Sequence, residues 1–176
     1  SQKVKPVNNC FYSLTNHSYF NMSPTLRVKD EKLRIDSDEV ANLDSKLLLN
    51  KWDKVNNVFS FKTLHLISEH LAETYPATAR GYDHAYKLNK RQPQIVLEGD
   101  KYRLSISTDY DGVVVYTNNY NKPDEIILGR KWNKQYDAIA IEPQIEPFNF
   151  KKMEIKADKI RENHIEYVFE SIGGQL

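Results

Sequence analysis

Short stretches in which apolar and polar residues alternate make up most of the chain. In "KYRLSIST" (101–108), Tyr102, Leu104 and Ile106 fall on one face and polar residues on the other, which is the period of a half-buried strand. The preceding run, 94–102, predicts a hairpin that turns at its Gly-Asp pair. The segment "HIEYVFE" (164–170) alternates again and is predicted to be the last strand.

Three further segments complete the strand prediction. "LRVKDEKLRI" (26–35) predicts two short strands around an Asp-Glu turn, and "VVVYT" (113–117) predicts a buried strand after the turn "DYDG". "DAIAIEP" (137–143) predicts a short apolar strand that ends at Glu142, because Pro143 cannot donate a backbone hydrogen bond.

Residues 63–75 are the one segment with helical spacing of the apolar positions, and Pro76 follows them. This pattern predicts a short helix or a pair of turns. His65 and His70 are five residues apart, so they would not share a helical face, and we favour solvated histidines over metal ligands. Many short strands separated by Gly, Asp and Asn turns predict an all-β fold, an antiparallel β-sandwich with at most one short helix.

Charge and cysteine content exclude several classes of partner. The chain has 25 Lys plus Arg and 24 Asp plus Glu, so no basic surface for nucleic acid is expected. Cys10 is the only cysteine, which rules out an intrachain disulfide and a cysteine-based zinc site and favours a reducing, cytoplasmic location.

No apolar run is long enough for a membrane span, and we expect no membrane partner. The first residues, "SQKVKP", have neither an initiator Met nor a signal-peptide core, so we expect a chain that is processed, tagged or part of something larger.

Three side chains are candidates for chemistry. His17 lies in the polar run "LTNHSYFN", where it is either a proton donor or part of a loop that satisfies its own backbone. Asp83 precedes a histidine in "GYDHAY"; on an extended strand the two would face opposite ways, and the aspartate either binds a ligand or holds a turn. Glu142 lies in an apolar run, where a carboxylate is either a desolvated base or bonded to backbone amides.

Four motifs in order, "LTNHSYFN", "GYDHAY", "DGVVVYTNN" and "AIEPQ", resemble the galactose mutarotase (aldose 1-epimerase) family. The resemblance runs over nearly the whole chain and implies the mutarotase-like β-supersandwich. It also implies interconversion of the α and β anomers of a free hexose, galactose or glucose. No cofactor and no metal are expected for that reaction.

The resemblance also implies a role for each candidate residue. His17 corresponds to the acid that protonates the sugar ring oxygen, Glu142 to the base that takes the anomeric proton, and Asp83 to the residue that holds sugar hydroxyls. Val114 departs from the family pattern, because many members carry Gln there and valine cannot hydrogen-bond to the sugar.

A second departure concerns length. The resemblance covers only the C-terminal half of the family, so residues 1–176 are expected to be half of a mutarotase-like domain, with a second polypeptide supplying the N-terminal half. The alternative is a non-catalytic carbohydrate-binding sandwich or a remnant of the fold. A relative acting on sugar phosphates is a weaker reading, because no basic cluster lies near the motifs.

Overall fold

Antiparallel pairing accounts for all the ladders in the computed structural model, which describes residues 1–120 and 134–173. The strands, in chain order, are β1 (Gln2–Val4), β2 (Cys10–Phe11), β3 (Tyr19–Phe20), β4 (Lys32–Ile35), β5 (Ser37–Leu43), β6 (Leu49–Lys54), β7 (His65–Leu66), β8 (Asp83–Leu88), β9 (Ile95–Glu98), β10 (Tyr102–Thr108), β11 (Gly112–Tyr116), β12 (Ile139–Gln144), β13 (Glu154–Ile155), β14 (Arg161–Asn163) and β15 (Ile165–Ser171).

Helical structure is limited to single turns. One α-helix, α1 (Phe150–Met153), occurs in the described part of the chain, so the prediction of an all-β fold with at most one short helix is confirmed. No helix within residues 1–120 and 134–173 has the length and apolar character needed to cross a membrane. The 3₁₀ turns are Val28–Asp30, Asn57–Phe59, Ile67–Glu69, Leu71–Glu73 and Ala77–Ala79.

Two main sheets share one hydrophobic core. The five-stranded sheet has the order β15-β10-β9-β4-β7, and the six-stranded sheet has the order β3-β12-β11-β8-β5-β6. Their buried side chains form a single cluster, as expected for two sheets packed face to face. Two small ladders, β1 with β14 and β13 with β2, lie around a second, smaller cluster of buried residues.

The alternating segments form the predicted strands. Leu104 and Ile106 on β10 are fully buried, and the intervening Ser105 is half-buried. Tyr102, at the start of the strand, is 48% exposed, so its predicted place on the buried face is wrong. The predicted hairpin is present, since β9 pairs with β10 and the Gly99 N–H donates to the Tyr102 carbonyl at 3.0 Å. The last predicted strand is β15, and it pairs with β10 along seven residues.

Two of the strand predictions are wrong in part. The first half of 26–35 is not a strand, because Val28–Asp30 forms a 3₁₀ turn that buries Val28 in the core. Strand β12 does not end at Glu142 but runs on through Pro143 to Gln144. Proline is tolerated there because its backbone nitrogen and carbonyl point to the same side of the strand, away from β11. On that side the carbonyl accepts a hydrogen bond from the Thr15 side chain.

The segment 63–75 forms the pair of turns rather than the helix. Its two 3₁₀ turns point Ile67 and Leu71 into the core. His65 and His70 lie near the surface, with ring nitrogens 3.2 and 2.9 Å from Glu69 and Glu73 respectively. Both rings are thus partly solvated, and each contacts a glutamate.

Candidate active site

The outward face of the six-stranded sheet carries two of the three candidate side chains. The register places Val114 between Ala85 and Glu142, so these three form one row across β8, β11 and β12. In the next row, Tyr116 pairs with Asp83. Because alternate residues of a strand share a face, Asp83 and Glu142 lie on the same side of the sheet, one row apart.

His84 lies on the opposite, core-facing side and has a structural role. It is 1% exposed, its Nδ1 accepts the backbone N–H of Asp83 at 3.0 Å, and its Nε2 is 2.8 Å from the Tyr75 carbonyl. These partners require a neutral ring with the proton on Nε2. Burial lowers the pKa of His84 to about 4, against the smaller opposing effect of the Tyr75 carbonyl. The expectation that Asp83 and His84 face opposite ways is therefore confirmed.

The motif "LTNHSYFN" is fixed against β12 by its polar residues. Thr15 donates to the Pro143 carbonyl at 3.0 Å, and Asn21 donates to the Asp137 carbonyl at 2.7 Å. Between these contacts, Tyr19 pairs with a β12 residue in the short strand β3. The neighbours of His17 thus form hydrogen bonds to backbone carbonyls, as expected if this run is a loop that satisfies backbone groups. Their effect is to hold His17 beside β12.

His17 and Glu142 are in direct contact. Nε2 of His17 lies 3.3 Å from Oε1 of Glu142, and the histidine side chain is 54% exposed whereas the glutamate side chain is 11% exposed. The Glu142 carboxylate therefore faces the imidazole. An exposed imidazole over a nearly buried carboxylate is an arrangement that a ligand can approach from one side.

Burial sets the proton affinity of the two carboxyl groups. Desolvation raises the pKa of Glu142; the nearby His17 opposes the shift and the negative charge of Asp83 adds to it. Desolvation also raises the pKa of Asp83, again opposed by His17. Each carboxylate is consequently a stronger base than a solvated one. The three predicted residues thus form one electrostatically coupled group.

Aromatic rings border this group. The His17 ring is 5.2 Å from that of Tyr19, which in turn meets Tyr116 edge-on at 6.4 Å. Among residues 1–120 and 134–173, no set of three His, Cys, Asp or Glu side chains is arranged to hold a metal ion. The site is therefore a histidine and two carboxylates on a sheet face with aromatic neighbours.

Comparison with known proteins assigns the family. The family model for aldose 1-epimerase matches residues 1–162. The chain belongs to the aldose 1-epimerase family. The resemblance noted in the sequence is thereby confirmed. A search of curated protein sequences finds no match.

Solved structures of similar fold agree with this family. A galactose 1-epimerase from Lactobacillus acidophilus NCFM superposes with a TM-score of 0.85 at 23% identity, over 96% of this chain and 52% of that one. A GalM/aldose epimerase homologue from C. elegans gives 0.77 at 21% identity, over 94% and 53%. A galactose mutarotase-like protein from Clostridium acetobutylicum gives 0.59 at 14% identity, over 94% and 49%. These identities show the shared fold alone, and this member of the aldose 1-epimerase family spans about half the length of the structures it matches.

Two features of this aldose 1-epimerase family member escaped the sequence analysis. One is the role of His84, whose acceptor contact with the Asp83 backbone fixes the start of β8. The sequence did contain a signal, since a histidine on the inward side of a strand must be desolvated. The contact of His84 with the Tyr75 carbonyl, however, cannot be seen in the hydrophobic pattern. The other is the row of small apolar residues that ends at Glu142, which depends on pairing between distant strands.

Proposed function

We propose that this protein is an aldose 1-epimerase that interconverts the α and β anomers of a free hexose, galactose or glucose. His17 is the acid, Glu142 is the base, and Asp83 binds a sugar hydroxyl. The observation that carries the proposal is the 3.3 Å contact between His17 Nε2 and Glu142 Oε1 on the open face of the sheet.

The reaction needs an acid and a base that are close together. Ring opening protonates the ring oxygen and removes the proton of the anomeric hydroxyl, and both oxygens are bonded to the same carbon. Groups that reach them at hydrogen-bond distance, about 2.6–3.2 Å, must therefore be neighbours. A sugar that enters from the exposed His17 side exchanges the His17–Glu142 contact for one contact to each oxygen.

The proton balance closes over one cycle. Protonated His17 gives its proton to the ring oxygen while Glu142 takes the hydroxyl proton, the bond from the anomeric carbon to the ring oxygen breaks, and a carbonyl forms. Rotation about the bond between the aldehyde carbon and the next carbon presents the other face of the carbonyl. Glu142 then returns its proton to the carbonyl oxygen and His17 removes the hydroxyl proton as the ring closes. A raised Glu142 pKa supports this exchange, because it brings the base closer to neutral pH.

The first test is Glu142→Gln, which keeps the shape of the side chain and removes its basicity. We expect the mutarotation rate of freshly dissolved α-galactose, followed by polarimetry, to fall about 10²- to 10⁴-fold. Glu162→Gln, at an exposed glutamate on β14, is the matched control and should keep full activity. A Glu142→Gln protein with more than about a tenth of the wild-type rate would exclude the base role.

The same assay separates the enzyme from a carbohydrate-binding module. If the wild-type protein binds galactose in calorimetry but the optical rotation of the galactose changes no faster than in buffer alone, the binding module would be favoured. Simultaneous loss of binding and rate in Glu142→Gln, in proportion to loss of folded protein, would point to a structural glutamate.

We further propose that additional strands, from outside residues 1–176, pack against one edge of the sandwich and extend both sheets. The support lies at one edge of the sandwich, formed by β15 and β3. Phe169 pairs with buried Leu104 and so shares its core-facing side, yet it is 59% exposed. Phe20 of β3 contacts it across the sheets, with ring centroids 6.3 Å apart. An apolar residue that faces the core without being covered is typical of an edge at which further strands pack. The lone cysteine favours a cytoplasmic location for the assembly.

A further inference from the structure

A row of outward-facing side chains crosses the six-stranded sheet and has the candidate acid and base at one end. The register of β3 against β12, continued two residues beyond the ladder, brings His17 opposite Glu142, in agreement with their 3.3 Å contact. From Glu142 the row passes through Val114 on β11 and Ala85 on β8, and Ala41 of β5 lies next. The order along the row is therefore acid, base and then small apolar side chains.

A concavity of about 180 Å³ lies over the apolar part of this row. Its floor is made of Val114, Ala85 and Ala41, and Phe148, which is 53% exposed, belongs to a wall that is partly open to solvent. Because neighbouring strands are about 4.8 Å apart, the concavity begins one strand away from Glu142, whereas the hairpin between β5 and β6 at its far end is more distant. The complete lining is Ala41, Leu43, Leu47, Leu48, Leu49, Asp83, Ala85, Val114, Pro147 and Phe148.

The proposed chemistry determines which atom of the sugar points towards this concavity. The anomeric carbon is bonded to the ring oxygen, to the hydroxyl oxygen and to carbon 2. With the ring oxygen at His17 and the hydroxyl oxygen at Glu142, carbon 2 is directed away from His17 and along the row towards Val114. The exocyclic carbon is attached beside the ring oxygen and stays on the His17 side. The substituent on carbon 2 is therefore the first group of the sugar to reach the concavity.

The chemistry of the lining suits an acylamino group on carbon 2 better than a hydroxyl. Of the ten lining residues in the described part of the chain, Asp83 alone has a polar side chain, and it lies two residues from Ala85 on the same face of β8. An amide N–H directed at Asp83 would have an acceptor, whereas a hydroxyl directed at Val114 would meet only carbon.

The length of an acetamido group matches the near end of the concavity. The two carbons that flank a trans amide are about 3.8 Å apart, so the acetyl methyl group lies nearly one strand spacing beyond carbon 2. That distance brings the methyl group over Val114 and Ala85, and a longer acyl chain would continue over Ala41. The half-exposed Phe148 wall leaves the amide carbonyl in contact with water.

We infer that the preferred substrates are 2-acylamino-2-deoxyhexoses, such as N-acetylgalactosamine and N-acetylglucosamine, whose acyl chain occupies the concavity. The inference rests on the proposed function, which places the anomeric carbon at His17 and Glu142. Asp83 then accepts the amide N–H with one carboxylate oxygen and a ring hydroxyl with the other.

The size of the preference follows from the apolar contact that the acyl chain gains. One methylene in an apolar pocket is worth roughly 10- to 200-fold, and an open concavity should give the lower end of that range. We therefore expect N-acetylgalactosamine to bind about tenfold more tightly than galactose, with kcat/KM higher in the same proportion. Each further methylene, in the N-propanoyl and N-butanoyl derivatives, should add about two- to fourfold in affinity as the chain extends towards the hairpin.

The test is calorimetric titration of galactose, 2-deoxygalactose and the three N-acylgalactosamines into the protein as it purifies from its native host, with mutarotation measured on the same samples. Val114→Gln places a longer, polar side chain over the near end of the concavity. It should reduce the N-acetyl preference to about threefold or less and abolish the gain with chain length. Val168→Gln is the matched control, because Val168 is 43% exposed on the other sheet, and it should keep the wild-type preference.

The outcomes separate this inference from the proposed function. Equal or weaker binding of N-acetylgalactosamine, with galactose mutarotation retained, would overturn the inference and leave the proposed function in place. Binding that tightens with acyl length, without mutarotation of any sugar, would support the acyl site and overturn the enzyme. Failure of all five sugars to bind would overturn both.

Two further results would also decide against the acyl site. If 2-deoxygalactose bound as tightly as N-acetylgalactosamine, loss of the hydroxyl and not contact with the acyl chain would account for the preference. An equal loss of preference in Val114→Gln and Val168→Gln would exclude the concavity as its cause.

Discussion

Acidification should destabilise the fold through His84, and the size of the effect can be worked out from the structure. His84 is neutral and buried, and its pKa of about 4 compares with 6.5 for a solvated histidine. The folded pKa is depressed, so the unfolded chain binds the proton first as pH falls. The contribution of His84 to stability is therefore complete well above pH 6.5 and is lost between pH 6.5 and about pH 4.

The linkage relation gives the magnitude. Between pH 7 and pH 5 the unfolded histidine becomes almost fully protonated and the folded one stays mostly neutral, which lowers the free energy of unfolding by about 2 kcal/mol. That is a large fraction of a typical domain stability of about 5–15 kcal/mol. Asp83 and Glu142 act in the opposite direction, because their raised pKa values let the folded state bind protons first in acid.

A matched variant isolates the His84 contribution. His84→Asn keeps an acceptor for the Asp83 N–H and leaves the Tyr75 carbonyl without its donor, so at pH 7 it should be less stable by about 1–3 kcal/mol. Urea unfolding at pH 7, 6 and 5 should show the gap between wild type and variant narrowing by about 2 kcal/mol. The exposed His164→Asn serves as control and should follow the wild-type curve. A gap between wild type and His84→Asn that is constant from pH 7 to pH 5 would refute the assignment of a buried neutral His84.

Three other predictions follow from the same structure. His17→Asn should reduce the mutarotation rate about 10²- to 10⁴-fold with sugar affinity by calorimetry much less affected, and proportional loss of both would show a structural histidine. Gly81→Ala should lower the free energy of unfolding by about 1–3 kcal/mol, because φ is +146° and a Cβ would lie 2.3 Å from Asn119 Oδ1; an unchanged thermal melt would contradict this. Residues 1–176 expressed alone should self-associate, and Phe169→Glu should reduce this by placing charge at the open edge. Light scattering that shows an active 20.6 kDa monomer would contradict the proposal that further strands pack there.

The strand pattern was predictable wherever one face of a strand is buried and the other is solvated. Leu104 and Ile106 alternate with polar residues because β10 has one core-facing side, and the same logic located β15. The strand prediction failed at Val28, which is buried by a 3₁₀ turn and not by a strand. The backbone carbonyl of Glu31, just after this turn, accepts the Ile67 N–H, so a distant contact holds the chain in place. Local alternation cannot show such a contact.

The three candidate residues could be chosen from the sequence, but their surroundings could not. His17, Asp83 and Glu142 each stood out as a polar group in a motif, and the resemblance grouped them. The row that joins Ala85, Val114 and Glu142 could not be found in this way, because its members come from separate strands whose pairing the sequence does not show. Val114 alone gave a signal, as a departure from the family pattern, and its meaning required the neighbours that strand pairing brings beside it.

The alternation of faces on β8, β11 and β12 has a consequence for how this protein can be altered. Positions 83, 85, 114 and 142 point outward and positions 84, 113, 115 and 141 point into the core. A substitution at an outward position reshapes the surface proposed to bind the sugar and leaves the volume of the core unchanged. Libraries for new sugar preferences should therefore vary Ala85 and Val114 together and keep their inward neighbours constant, so that selection acts on recognition instead of on rescue of folding.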